Sequence, residues 1–261
     1  MTKALFFDID GTLVSFMTHR IPASTIEALT RAHDRGIEIY ISTGRPRPII
    51  NNLGDIAHLI DGYITTNGAY CFIADEIISR TVIAPEDVDY VTAKAKELCF
   101  PCMVVGCDSL TMYNAASQPE AVEQVCRMLN VSLAPERPLE EIVAQGVLQL
   151  TPMISTELEE KIITPREGLL SGRWCPEFTD LTAAGVNKAK GLREIAARRG
   201  FDISETMAFG DGGNDLSMIR AAGIGVAMAN ANPILLTAAD YITTSVDTSG
   251  IHHALSHFSI I

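Results

Sequence analysis

Two carboxylates one residue apart, Asp8 and Asp10, close an apolar run that begins at Ala4 and lead into Gly11-Thr12. Carboxylates held that close repel each other unless a cation or a shared proton joins them. A hard divalent ion such as Mg²⁺, which takes oxygen ligands, is the natural partner. A turn or a helix cap would account for one of the two carboxylates and leave the other idle. Three further polar clusters carry usable chemistry: Thr43-Gly44-Arg45, Lys188, and Gly210-Asp211-Gly212-Gly213-Asn214-Asp215. Singly, Thr43-Gly44 reads as a turn, Lys188 as a solvated helix residue and Arg45 as a surface charge. The glycine- and acid-rich stretch is harder to dismiss, because a turn needs fewer glycines. It also fails to complete the G-x-G-x-x-G dinucleotide fingerprint.

Together the clusters supply what attack on a phosphate monoester requires. A phosphoryl group approached by an anion needs its charge neutralised and its nucleophile fixed in line. Asp8 is the candidate nucleophile, forming an aspartyl-phosphate. Asp10 is the candidate general acid and base. Asp8 and Asp211, with a contribution from Asp10 through its backbone carbonyl, are candidate Mg²⁺ ligands. Asp215 is expected to orient the metal shell or Lys188. Thr43 and the backbone N–H groups around Gly44 can donate to phosphoryl oxygens, and Lys188 supplies a fixed positive charge.

The elements that must position these groups read as a parallel α/β architecture. Ala4 to Phe7 is a short buried strand, and a helix from Ser24-Thr25 stops at Gly36. A second strand over 37–41 runs into Ser42-Thr43, with a further helix expected after Pro46. Strand, helix, strand with polar residues at each strand's end marks a parallel sheet, whose ligands bind at the strands' carboxyl ends. Asn67-Gly68 between apolar runs predicts a tight hairpin turn. From about Pro85 to Thr182 helical segments alternate with short strand-like pieces, including Arg173-Trp174 and 177–179. The parallel pattern returns with a helix over 188–199 and a strand over 206–209. The expected organisation is a Rossmann-like catalytic core, 1–83 and 183–261, interrupted by an inserted α+β cap, 84–182.

Composition narrows the function classes. The chain has 261 residues, 47% hydrophobic, with 20 Lys+Arg against 32 Asp+Glu and a net charge of −12. So acidic a balance argues against nucleic acid or an anionic membrane as partner, since both require a basic footprint. It leaves open a small phosphorylated substrate, where local cations dominate. No apolar run reaches the roughly 20 residues of a membrane span, and the N-terminus enters a strand without a signal-like segment, so a cytoplasmic location is expected. The six cysteines are expected to be reduced thiols. Cys99-Phe100-Pro101-Cys102 has a C-x-x-C form, but no second pair completes a zinc site.

The order Asp8-x-Asp10-Gly-Thr, Thr43-Gly-Arg45, Lys188 and Gly-Asp211-Gly-Gly-Asn214-Asp215 resembles the four motifs of the haloacid dehalogenase-like hydrolases. The resemblance covers the whole chain. Its large insert looks like the cap of the Cof-like, type IIB sugar phosphatases, close to the hexose-phosphate phosphatases of Bacteroides. It implies a Mg²⁺-dependent phosphatase with an aspartyl-phosphate on Asp8, with Thr43, Lys188 and Asn214 on the phosphate. It also implies that the cap supplies specificity, for which Arg173, Trp174 and Asp180 are candidates, Trp174 stacking on a sugar ring. A lone tryptophan buried in the cap sheet is the competing reading. The expected partner is a small phosphate monoester, a hexose or pentose phosphate, bound by a monomer or weak homodimer. Alternatives are a phosphomutase using the same Asp pair and, in a different class, a Mg²⁺-dependent phospho-acceptor switch. A dehalogenase would have no need of an acid at Asp10.

Overall fold

Ala4-Leu5-Phe6-Phe7 is buried at every position, which only the interior of a sheet covered on both faces allows. In the computed structural model, which describes residues 1–129, 137–173 and 175–261, this run is a central strand, Ala4–Phe7, of an eight-stranded sheet. The strand order is Tyr241–Ile242, Ile224–Ala227, Thr206–Gly210, Ala4–Phe7, Glu38–Ser42, Gly62–Thr65, Tyr70–Ile73, Glu76–Arg80. The first six are parallel, and Tyr70–Ile73 returns antiparallel to Gly62–Thr65. Phe7 lies opposite both Ile41 and Phe209, so three neighbouring strands end at one level. Asp8, Thr43 and Asp211 leave the sheet just beyond that level.

The period of two along each strand sends alternate side chains to opposite faces. Leu5, Phe7, Ile39, Ile41, Met207 and Phe209 pack on helix Ala23–Asp34 and on the last helix, Gly250–His257. Phe6, Tyr40, Ile64 and Ala208 face the other way, onto helices Lys188–Arg199 and Leu216–Ala221 through Leu192, Ile195, Met218 and Ile219. Ring stacking of Phe7 on Phe209, with centroids 4.6 Å apart, ties the two strands that carry Asp8 and Asp211.

The chain divides into two compact units: Met1–Arg45, Ile50–Ser79 and Asn187–Ile261 in one, Pro46–Ile49 and Arg80–Val186 in the other. The second unit has its own antiparallel sheet, ordered Leu110–Tyr113, Cys102–Val105, Gln149–Pro152, Asp180–Ala183, Leu169–Gly172. One apolar cluster joins Val104, Leu150 and Leu181 to helices Pro85–Glu97, Leu139–Val143 and Thr156–Ile162. A separate cluster gathers Met103, Val105, Met112, Met153 and Phe178 with Val125 of helix Pro119–Leu129. Ile49 belongs to that second cluster, which is why Pro46–Ile49 groups with this unit.

Some expected elements differ. After Pro46 there are two 3₁₀ segments, Arg47–Ile49 and Gly54–Leu59, in place of an α-helix, since Pro46 and Pro48 remove two backbone donors from the first turn. The strand expected at 177–179 is found at Asp180–Ala183. Its neighbour ends at Gly172, one residue before Arg173, and Trp174 lies outside the described residues. All six cysteines are free; Cys99 is exposed, and Cys102 is buried with its thiol pushed up by that burial. Among the described residues no helix is long and apolar enough to cross a membrane.

Gly191 sets how closely the helix bearing Lys188 approaches the sheet. A Cβ there would lie 2.5 Å from Ile64 Cγ2 and 3.0 Å from Cys71 Sγ, both buried side chains. In an open helix Gly→Ala gains about 1 kcal/mol, but overpacking a filled core costs about 1–3 kcal/mol, and the approach is too close for relaxation by a rotamer change. Gly191→Ala is therefore expected to lower stability by about 1 kcal/mol, the middle of a net range of about 0–2 kcal/mol, in urea unfolding; a stabilised variant would mean that the helix stands off the sheet.

Candidate active site

Asp8 is the first residue past its strand, and its N–H still donates to the Phe209 carbonyl at 3.0 Å. Its carboxylate meets Lys188, whose Nζ lies 2.6 Å from Asp8 Oδ1 and 2.5 Å from Asp215 Oδ1. Lys188 opens its helix and is fully buried; Asn187 caps that helix by accepting from the Lys190 N–H. Asp215 works with both oxygens, since its Oδ2 accepts from the N–H groups of Asp211 (3.0 Å) and Gly212 (2.9 Å). The loop bearing Asp211 is thus folded around the carboxylate that holds the lysine.

Asp211 is fixed from across the sheet. Thr12 donates its hydroxyl to Asp211 Oδ1 at 2.9 Å, and Asn230 donates to the Gly11 carbonyl at 2.9 Å. Gly11 has φ +85°, and a Cβ there would fall 2.2 Å from Asp211 Oδ2, so backbone conformation and space both require glycine. Asp8, Asp211 and Asp215 each offer an oxygen within 4.8 Å of the others. Three carboxylates against one ammonium leave this cluster two charges short of neutral, and an all-oxygen, doubly negative donor set fits a hard divalent cation. Titration reflects the crowding. Burial, reinforced by Asp215, pushes Asp211 up to about 7. Burial also raises Asp8 well above the ordinary range, more than Lys188 lowers it. Burial alone would lower the Lys188 ammonium, but Asp215 and Asp8 outweigh it and hold it above its ordinary value.

The Asp10 carboxylate is outside this group. It forms an ion pair instead: Arg45 Nε donates to Asp10 Oδ2 at 2.6 Å and Arg45 Nη2 to Asp10 Oδ1 at 2.9 Å, which leaves the expected backbone-carbonyl contribution of Asp10 untouched. The chain turns over the Ile9 carbonyl, which accepts from Leu13 and Val14, and carries Asp10 away from the direction of Asp8. Thr43 is buried; its Oγ1 accepts from the Arg45 N–H at 3.0 Å and keeps its own hydrogen to donate. Asn214 reaches over Gly44 and donates to Asn67 Oδ1 at 3.0 Å.

The cap candidates are held inside their own unit. Arg173 donates through Nε to Glu159 Oε2 at 2.6 Å and through its two terminal nitrogens to the carbonyls of Cys175, Pro176 and Ile154. Those bonds stitch the strand end Gly172 to helix Thr156–Ile162 and engage Arg173 within its own unit. Asp180 is buried and accepts from Gln149 and Thr151 at 2.9 and 2.8 Å. Residue types alone pointed to neither Thr12, Asn230 nor Asn67 as part of the site: Thr12 sits in a recognised stretch without an assigned task, Asn230 follows a strand end, and Asn67 reads as a turn residue.

A family model described as haloacid dehalogenase-like hydrolase matches residues 5–255. The Bacillus subtilis protein YkrA is 31% identical over 267 residues, spanning 100% of this chain and 99% of its own. Among solved structures, the haloacid dehalogenase subclass IIB sugar phosphatase BT4131 is 46% identical with a TM-score of 0.90, each chain covered completely. The phosphatase BT1666 from Bacteroides thetaiotaomicron is 38% identical with a TM-score of 0.88, covering 100% of this chain and 96% of its own.

The raised Asp211 has a consequence for stability. In the metal-free protein the folded state keeps a proton that the unfolded chain has already lost, between the ordinary carboxylate pKa and about 7. The contribution of Asp211 to stability is therefore full below that window and is lost as pH rises through it. The melting temperature of EDTA-treated protein is expected to fall from roughly pH 5 to pH 8, and Mg²⁺ to raise it more at the upper pH. Equal Mg²⁺ effects at both ends would contradict this charge assignment.

Proposed function

The chain belongs to the haloacid dehalogenase-like hydrolase family, and we propose that within it the protein is a Mg²⁺-dependent phosphatase of small phosphorylated metabolites, hexose or pentose phosphates foremost. The observation that carries this reading is the convergence, beyond the ends of adjacent parallel strands, of Asp8 on Lys188, the Asp211–Asp215 loop, and an Asp10–Arg45 pair. A sugar phosphatase of 46% identity over the full chain supports the substrate class.

Each residue then has a task. A carboxylate oxygen of Asp8 attacks phosphorus and displaces the alcohol, leaving an aspartyl-phosphate. Asp10 gives its proton to the departing oxygen, and takes one back from the water that opens the acyl phosphate. Arg45 grips both Asp10 oxygens through one lone pair each, and the second lone pair of either oxygen stays open to carry the proton that passes to the leaving oxygen. Lys188 offsets the charge that gathers at Asp8, and the Thr43 hydroxyl and the Asn214 amide donate to phosphoryl oxygens. Mg²⁺, held by Asp8 and Asp211 with Asp215 beside them, would neutralise phosphoryl charge when bound.

The test is phosphate release from a panel of sugar phosphates, nucleotides and pyridoxal phosphate, with Mg²⁺ and with EDTA. Hexose or pentose phosphates are expected to rank first. Release should stop on chelation and fall about a thousandfold or more in Asp8→Asn. Turnover indifferent to Asp8→Asn would overturn the nucleophile, and isomerised sugar with phosphate retained would identify a mutase. A persistent phosphoprotein without turnover would identify a phospho-acceptor switch.

A further inference from the structure

The turn between strands Gly62–Thr65 and Tyr70–Ile73 is more elaborate than chain reversal demands. Thr66, Asn67 and Gly68 are consecutively left-handed, at φ 51°, 54° and 100°. A tight hairpin needs such angles at Asn and Gly, whereas a β-branched residue there is an outlier that survives only when its surroundings hold it. They do. The Thr66 N–H donates to the Arg45 carbonyl at 3.2 Å, and the Asn67 N–H to the Thr43 carbonyl at 3.0 Å. A Cβ on Gly68 would fall 2.3 Å from the Asn187 carbonyl, the residue that caps the Lys188 helix. The Asn67 side chain goes to the remaining piece of the site, accepting from Asn214 Nδ2 at 3.0 Å while its amide lies over Gly44.

One short turn therefore touches the Thr43 loop, the Lys188 helix and the Asn214 loop, and its hydrogen bond to Asn214 is made by the Asn67 side chain. We infer that Asn67 is a positioning residue of the phosphate site. Its carbonyl oxygen takes one hydrogen of the Asn214 amide and fixes the amide plane, so that the second hydrogen is presented to a phosphoryl oxygen without an ordering cost. The inference rests on the phosphatase reading for its ligand. It extends that reading to a residue that sequence reasoning assigned to the turn alone.

Asn67→Gly separates the side chain from the backbone, because glycine adopts φ 54° freely and keeps the N–H bond to Thr43. Inorganic phosphate binding in the presence of Mg²⁺ would be measured by calorimetry for the wild type, Asn67→Gly, Asn214→Ala and the double variant. The expected result is a melting temperature within a few degrees of wild type and phosphate affinity reduced roughly five- to tenfold in Asn67→Gly. The double variant should bind no more weakly than Asn214→Ala alone, since Asn67 acts through that amide. Wild-type affinity in Asn67→Gly, losses that multiply in the double variant, or a wild type that does not bind phosphate would each overturn the inference. Phosphate binding with the expected coupling but no hydrolysis of any ester would sink the phosphatase reading and leave the positioning role standing.

Discussion

A fully buried ammonium shared by two carboxylates is the interaction on which the site depends. Lys188 has no exposed surface, and Asp8 and Asp215 approach its Nζ from two different strand ends. Removing a charge from water is expensive, and a buried ion survives only with partners of good geometry. That requirement reaches outward into the fold. The Lys188 helix must sit low on the sheet, which Gly191 permits, and the strands ending at Phe7 and Phe209 must end at the same height. A register slip of one residue would send Asp8 to the opposite face. The apolar packing of the core is thus the means by which three charges are held where water would scatter them.

The acidic loops show how the repulsion is contained. Asp215 does not simply face the lysine, because its second oxygen gathers the N–H groups of Asp211 and Gly212. The loop that presents Asp211 is therefore organised by the carboxylate that also anchors Lys188. Asp10, two residues from Asp8, is relieved separately by the guanidinium of Arg45 in a two-bonded pair, the geometry in which such contacts are strongest. The two members of the Asp-x-Asp pair thus occupy different electrostatic settings, Asp8 buried beside an ammonium and Asp10 at the edge beside an arginine.

Much of this was legible in the chain because a carboxylate placed directly after a short apolar run sits at the edge of a buried strand, where an idle charge would be costly. Asp8, Asp10, Asp211 and Asp215 stand where the runs end, and the parallel order follows from strand and helix alternation. The helix over Lys188–Arg199 was readable to the residue, having a lysine at its start and Gly200 at its close. What escaped was whatever depends on a partner far away in sequence. Arg173 reads as a ligand-facing cation until Glu159 and three carbonyls take up its donors. Asn67 reads as turn chemistry, correctly, and nothing local says that its side chain meets a residue 147 positions later. The helix expected after Pro46 failed for a local reason, the second proline at 48.

Among the described residues Asp8, Asp10 and Asp215 each have a side-chain cation in contact, whereas Asp211 has none. It is held by the Thr12 hydroxyl and grazed by the Asn230 amide, neutral donors that fix a carboxylate without cancelling its charge. Gly11 is stripped of a Cβ on the same side, so that the backbone closes in on Asp211 Oδ2 without covering it. A protein that merely needed a quiet acidic turn would have supplied an arginine here as it did for Asp10. Leaving one carboxylate oriented but uncompensated, beside two others that are only partly neutralised, concentrates negative potential at one point. Protonation relieves it in the free protein, as the raised Asp211 shows, and a divalent cation relieves it more completely. The fold thus concentrates negative charge at this point by where it withholds a positive partner as much as by the oxygens it gathers.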